Sequence, residues 1–200
     1  MELSIPSKEV FAGIAIVLTL YGFIPYLRSI FSGSTKPHVF SWVIWGSTTF
    51  VVFLAQIQSG AGVGAWPIGI SGSITLLVAA LAYMRRADIS ITALDWSFFI
   101  LAMLSLPLWY VTSDPLWTVI ILTVVDILGF GPTLRKAYAM PHSESLPFYL
   151  IFTLRNLCVV LALESYSLTT VLFPAAIAVA CIGLILMVVV RRRQVIPSSN

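Results

Sequence analysis

Charge is what this chain of 200 residues has least of: Asp, Glu, Lys and Arg together make up 10% of it. A soluble domain carries about 25%, and so few ionic groups cannot cover a water-facing surface. Cysteine is nearly absent as well. Cys158 and Cys181 both lie in apolar runs, which excludes a disulfide framework or a thiolate cluster, and both read as small buried hydrophobes. His38 and His142 each follow a proline, with no second ligand at metal spacing, so neither a metal nor a cofactor is expected. The basic residues behind the net charge of +3 sit at the ends of apolar stretches. They form no stripe interleaved with aromatics, and nucleic acid is not an expected partner. The opening MELSIPSKEVF has no basic region, and no small-residue cleavage site follows the apolar stretch. A retained first helix is expected in place of a signal peptide.

Apolar length, in contrast, is plentiful. Hydrophobic residues are 59% of the chain and the mean hydropathy is +1.00. A helix crosses the hydrocarbon core with about 20 mostly apolar residues. Seven such stretches are predicted: Val10–Phe31, His38–Ile57, Trp66–Met84, Ala93–Thr112, Pro115–Lys136, Pro147–Glu164 and Leu168–Val190. The strict alternation of membrane β-strands is not seen. Runs of Gly, Pro and small polar residues at 32–37, 59–64 and 140–145 separate the stretches. The fourth connection is tight, at Ser113-Asp114-Pro115.

Orientation follows from the basic residues. Arg28, Lys36, Arg85, Arg86, Arg135, Lys136, Arg191, Arg192 and Arg193 fall on one side, and Lys8 alone on the other. The positive-inside rule then puts the N-terminus outside and the C-terminus in the cytoplasm, which demands an odd number of spans. Short loops and tails favour a bacterial plasma membrane.

The chain also repeats itself. Gly22-Phe23-Ile24-Pro25-Tyr26-Leu27-Arg28 returns 107 residues later as Gly129-Phe130-Gly131-Pro132-Thr133-Leu134-Arg135, and the same offset sets Trp66-Pro67 on Phe173-Pro174. Short Gly, Pro and Leu matches arise by chance in apolar sequence, but two proline landmarks in one gapless register point to duplication. The register lays stretch five on one, six on two and seven on three. The predicted fold is therefore an all-α membrane protein of 3+1+3 helices: repeats at 10–84 and 115–190 about a linker helix at 93–112. Parallel repeats of this kind share an axis along the membrane normal, and carriers built from them bind solute where the copies meet.

The register also isolates the deepest polar residues. Asp126 aligns with Thr19, while Arg155 and Asn156 align with Thr48 and Thr49. An ionised side chain at mid-bilayer costs at least about 2.5–3.5 kcal/mol, so it needs a partner or a wet cavity. Two readings follow: a salt bridge locking two helices, or a polar pocket for solute. In the second, Asp126 is the protonatable member, since arginine keeps its charge, and it is expected to couple solute movement to protons. Arg155 would receive a carboxylate and Asp126 an amine. Trp45, Trp66 and Phe173, with Trp42 and Tyr149, could stack on a solute or belong to the interfacial aromatic belt. Pro25, Pro67, Pro132 and Pro174, with Pro107, interrupt helices as hinges or static kinks. Gly60, Gly62 and Gly64 follow no strand and precede no Lys-Ser/Thr, so a phosphate loop is not expected. Asp95 and Glu164 are expected to be solvated.

A Pro near the cytoplasmic end of a helix, a short basic stretch and a Ser-rich helix start occur twice, at Pro25-Tyr26-Leu27-Arg28 to Ser41 and at Pro132-Thr133-Leu134-Arg135-Lys136 to Leu146. With the 3+1+3 pattern this resembles the PQ-loop superfamily, which includes SWEET sugar transporters and lysosomal amino-acid exporters. Tyr26 and Thr133 replace the family's glutamine, and no Asn occupies stretch three or seven. The resemblance implies a small-solute transporter working by alternating access on an amino acid or a sugar, with the motif prolines as hinges and homo-oligomers compatible with it. The alternative is a seven-helix receptor or sensor that binds without transport. A retinal protein is excluded because 168–190 contains no lysine. No enzyme is expected, since HExxH, GxSxG and paired carboxylates are missing from the spans.

Overall fold

A computed structural model describes residues 7–33, 39–85, 93–139, 141–143 and 146–194; for Leu94, Asp95, Pro132, Arg135, Lys136 and Ser143 it describes the backbone only. Lys36, His38 and Arg86, and the side chains of Asp95, Pro132, Arg135 and Lys136, lie outside the described residues.

The described chain is helical, with no strand. Eight α-helices follow in order: α1 (Lys8–Phe31), α2 (Val39–Gln58), α3 (Trp66–Met84), α4 (Ala93–Thr112), α5 (Pro115–Gly129), α6 (Gly131–Ala139), α7 (Leu146–Ala162) and α8 (Leu168–Gln194). Short 3₁₀ turns at Gly62–Ala65 and Pro141–Ser143 precede α3 and α7. By length and apolarity four helices can cross a membrane: Lys8–Phe31, Val39–Gln58, Gly62–Met84 and Leu168–Gln194. Trp96–Thr112, Pro115–Gly129 and Leu146–Ala162 are apolar but shorter. Their outward faces carry large apolar side chains such as Val17, Leu77, Leu104, Leu157 and Leu186, a surface suited to lipid and not to water.

Local chemistry explains the boundaries. Ser113 turns the chain at φ +54°, Asp114 accepts the Leu116 N–H at 2.9 Å as an N-cap, and Pro115 opens α5 where no amide is needed. Hydroxyls inside the apolar helices bond back to the preceding turn, as Thr75 does to Ser71 O and Thr153 to Tyr149 O.

Two expectations are corrected here. The stretch Pro115–Lys136 is two helices, interrupted at Phe130. Pro132 can give no N–H to the carbonyl four residues before it, and Gly131 beside it disfavours helix. The matching Pro25 has Ile24 beside it, and α1 runs through. Pro67 does not interrupt a helix at all. It stands in the first turn of α3, whereas Pro25, Pro107 and Pro174 lie inside α1, α4 and α8.

The packing order differs from the chain order. α3 packs on both α1 and α2, and α8 packs on both α5 and α7. Between these groups α1 meets α7 and α2 meets α5, while α4 leans on α5 and α2. An apolar core of Ala15, Val52, Ile68, Val119, Leu122, Val159 and Phe173 joins them.

Candidate functional site

A cavity of about 310 Å³ opens between the two groups of helices. Gly22 and Gly129, Phe23 and Phe130, Tyr26 and Thr133, Trp42 and Tyr149, and Trp45 and Phe152 all line it. Each of these five pairs is separated by 107 residues. The two glycines make room in the same way. A Cβ on Gly22 would come within 2.8 Å of the Phe152 ring, and one on Gly129 within 3.0 Å of Trp45 Nε1. In each case one half yields space to an aromatic ring of the other.

Asp126 and Arg155 form the charged floor of the cavity, 8% and 3% exposed respectively. They do not pair with each other. Thr48 Oγ1 donates to Asp126 Oδ1 at 3.0 Å, and Arg155 Nε donates to Thr19 Oγ1 at 3.1 Å. Subtracting 107 from 126 and 155 gives 19 and 48, so the two bonds are images of one another in the repeat register. Arg155 also donates from Nη1 to Asn156 Oδ1 at 2.9 Å and from Nη2 to Pro67 O at 2.8 Å. All three of its acceptors are neutral. The salt-bridge reading therefore does not hold: α8 packs on both α5 and α7, and each charge bonds instead to a threonine of α1 or α2.

The two threonines are wired differently. Thr19 donates to Ala15 O at 2.8 Å and presents a lone pair to Arg155. The Thr48 hydroxyl lies 3.0 Å from both Trp45 O and Asp126 Oδ1, and its single proton serves one at a time.

Of the residues expected from sequence, Trp45, Thr49 and Phe173 join Asp126 and Arg155 at the cavity. Thr19, Thr48 and Asn156 stand behind the wall as partners of the charges. Trp66 is not part of the cavity. It is 54% exposed, and its ring packs on Phe53. Pro67 contributes a carbonyl to Arg155. Phe148, Phe152, Ser71 and Thr75 line the cavity without having been singled out, and Cys181, expected as a buried hydrophobe, also lines it. Adding 107 to Trp45 would have found Phe152; the others carry no such signal.

All the pairs lining the cavity lie at or beyond the charged floor, towards the ends of α1 and α6. On the opposite side the halves are joined by a seam. Ala61, Ala65 and Leu163 pack dry, Glu164 Oε1 accepts the Val63 N–H at 3.0 Å, and the Glu164 N–H donates to Ala61 O at 3.1 Å. Glu164 is exposed, as expected, yet it holds the 3₁₀ turn. Gln56 Nε2 donates to Thr170 O at 2.8 Å. That carbonyl would bond the amide four residues on, but Pro174 has none, so the other half supplies the donor. Gln56 Oε1, fully buried, has no partner.

Among the described residues no group of His, Cys, Asp and Glu could hold a metal. No family model, curated protein or solved structure matches the chain.

Proposed function

We propose that this chain is a small-solute membrane carrier in which two three-helix bundles, 10–84 and 115–190, move about the central cavity while the helix at 93–112 links them. The observation that carries this reading is the cavity wall: five residue pairs at one sequence offset face one space. The packing supports it too, since α3 sits on α1 and α2 as α8 sits on α5 and α7. Duplicated bundles bind solute where they meet and alternate by rocking. The cavity on one side and the seam on the other correspond to one end of such a cycle; in the other, the Gln56 and Glu164 contacts would break. The resemblance to PQ-loop proteins fits this architecture, and the basic loops orient the cavity towards the cytoplasm.

The test is solute flux. Purified protein in liposomes should exchange internal for external labelled solute from a panel of amino acids and monosaccharides. Saturable binding with no exchange for any bound solute would replace the carrier with a receptor.

A further inference from the structure

The cavity floor presents two opposite charges that the fold holds apart, and its walls are aromatic. On the reading of this cavity as the solute site, we propose that it takes a zwitterion with a flat or bulky apolar body: an ammonium at Asp126, a carboxylate at Arg155 and the body between ring faces.

The argument begins with what each charge lacks. Among the described residues Asp126 receives one hydrogen bond, from Thr48, although a carboxylate offers about four acceptor positions. Arg155 uses three N–H groups on Thr19, Asn156 and Pro67 out of the guanidinium's five. Among the described residues neither touches a counter-charge, and both line the same space. A purely cationic ligand would satisfy Asp126 and face Arg155; a purely anionic one would do the reverse. A sugar would leave both charges uncompensated. A ligand carrying both signs complements both.

The walls decide the rest of the ligand. Phe23, Phe130, Phe148, Phe152, Trp42 and Trp45 surround the space, and their faces favour apolar or aromatic groups. Hydroxyls come only from Thr49, Ser71, Thr75, Thr133 and the two tyrosines among the lining residues. The volume of about 310 Å³ is near the small end of ligand pockets, which span about 300–1,000 Å³. A single amino-acid-sized solute fits that scale better than a peptide or disaccharide.

Calorimetric titration of the purified full chain decides it, with five probes: L-phenylalanine, phenethylamine, 3-phenylpropionate, glycine and glucose. L-phenylalanine should bind at least about tenfold more tightly than each of the others, since each lacks one charge or the body. Asp126→Asn should weaken L-phenylalanine and leave 3-phenylpropionate unchanged; Arg155→Gln should weaken both and leave phenethylamine unchanged. A merely structural role for either charge would weaken all ligands alike. If Arg155→Gln fails to fold, the wild-type series still decides. Phenethylamine or 3-phenylpropionate matching L-phenylalanine overturns the proposal, and so does tighter binding of glucose or glycine. L-phenylalanine binding without flux retires the carrier and leaves this inference standing. Monosaccharide flux without L-phenylalanine binding does the opposite.

Discussion

The two halves meet at the cavity floor through two bonds that are images of each other and opposite in chemistry. On one side a hydroxyl, Thr48, donates to an anion; on the other a cation, Arg155, donates to a hydroxyl, Thr19. Both charges belong to the second half and both hydroxyls to the first. Within the second half α5 and α7 each pack on α8, and their charges bond to threonines across the cavity and not to each other. A scaffold that carries both charges on one side of a cavity and hydroxyls on the other can thus keep a buried anion and cation unpaired. That unpaired state has an energetic cost, and a bound solute bearing both signs would offset it.

Moving one charge to its image position breaks the comparison and should give the largest effect. Thr48→Arg combined with Arg155→Thr places the guanidinium where position 48 already touches Asp126. A direct ion pair should form, and L-phenylalanine binding and flux should both disappear. Arg155→Thr alone leaves buried acceptors at Asn156 and Pro67 without a donor, at about 1–3 kcal/mol each. Both variants lose those donors, so the thermal midpoint of the double variant should exceed that of the single one only if the new pair forms. Retained binding in the double variant would show that the separation of charges is irrelevant.

A second prediction sharpens the contrast between the threonines. Asp126 is the cavity group whose ordinary titration lies lowest, since cysteine and tyrosine titrate near about 8.5 and 10. Flux through the wild-type protein should vary with pH if Asp126 exchanges protons during the cycle. Asp126→Asn, assayed at saturating solute, should show a flat profile. A profile of unchanged shape removes proton coupling at this residue.

The glycines offer a third comparison. Gly22→Ala and Gly129→Ala both press a methyl group towards a ring of the other half. Overpacking costs typically about 1–3 kcal/mol, and Gly22→Ala, with the closer contact, should lower the thermal midpoint more. Equal, negligible shifts would mean that the halves can move apart freely.

Much of this was legible in the sequence. α3 and α4 run where the apolar stretches were expected, and the offset of 107 had set Gly22, Phe23, Tyr26 and Trp42 on Gly129, Phe130, Thr133 and Tyr149. Nothing in the sequence placed those pairs at a cavity, and Trp45 was not paired with Phe152. What could not be read was neighbourhood. Asp126 and Arg155 lie on consecutive predicted stretches, which suggests contact, yet α6 and a 3₁₀ turn separate their helices in the chain and α8 packs on both of them. The break at Phe130 was hidden because Pro25 and Pro132 share a motif; the residue before each proline, Ile24 or Gly131, is what differs. The role of Gln56 was also invisible, since a polar residue near a helix end ordinarily reads as interfacial. Only the fold reveals that it faces a carbonyl released by Pro174.

That carbonyl gives the smallest and most specific prediction. Gln56→Leu should leave Thr170 O buried without a donor and weaken the closed seam by about 1–3 kcal/mol. The orphan Gln56 Oε1 vanishes in the same substitution, which holds the net loss towards the lower end. Pro174→Ala restores an amide at position 174, which can bond Thr170 O inside α8. The cost of Gln56→Leu should therefore shrink in the Pro174→Ala background, and a double-mutant cycle of thermal midpoints measures that coupling. Additive effects would mean that Gln56 does not replace the proline's missing donor. A positive coupling would identify the seam as a place where one half completes the backbone of the other, so that opening it breaks a main-chain hydrogen bond as well as a side-chain contact.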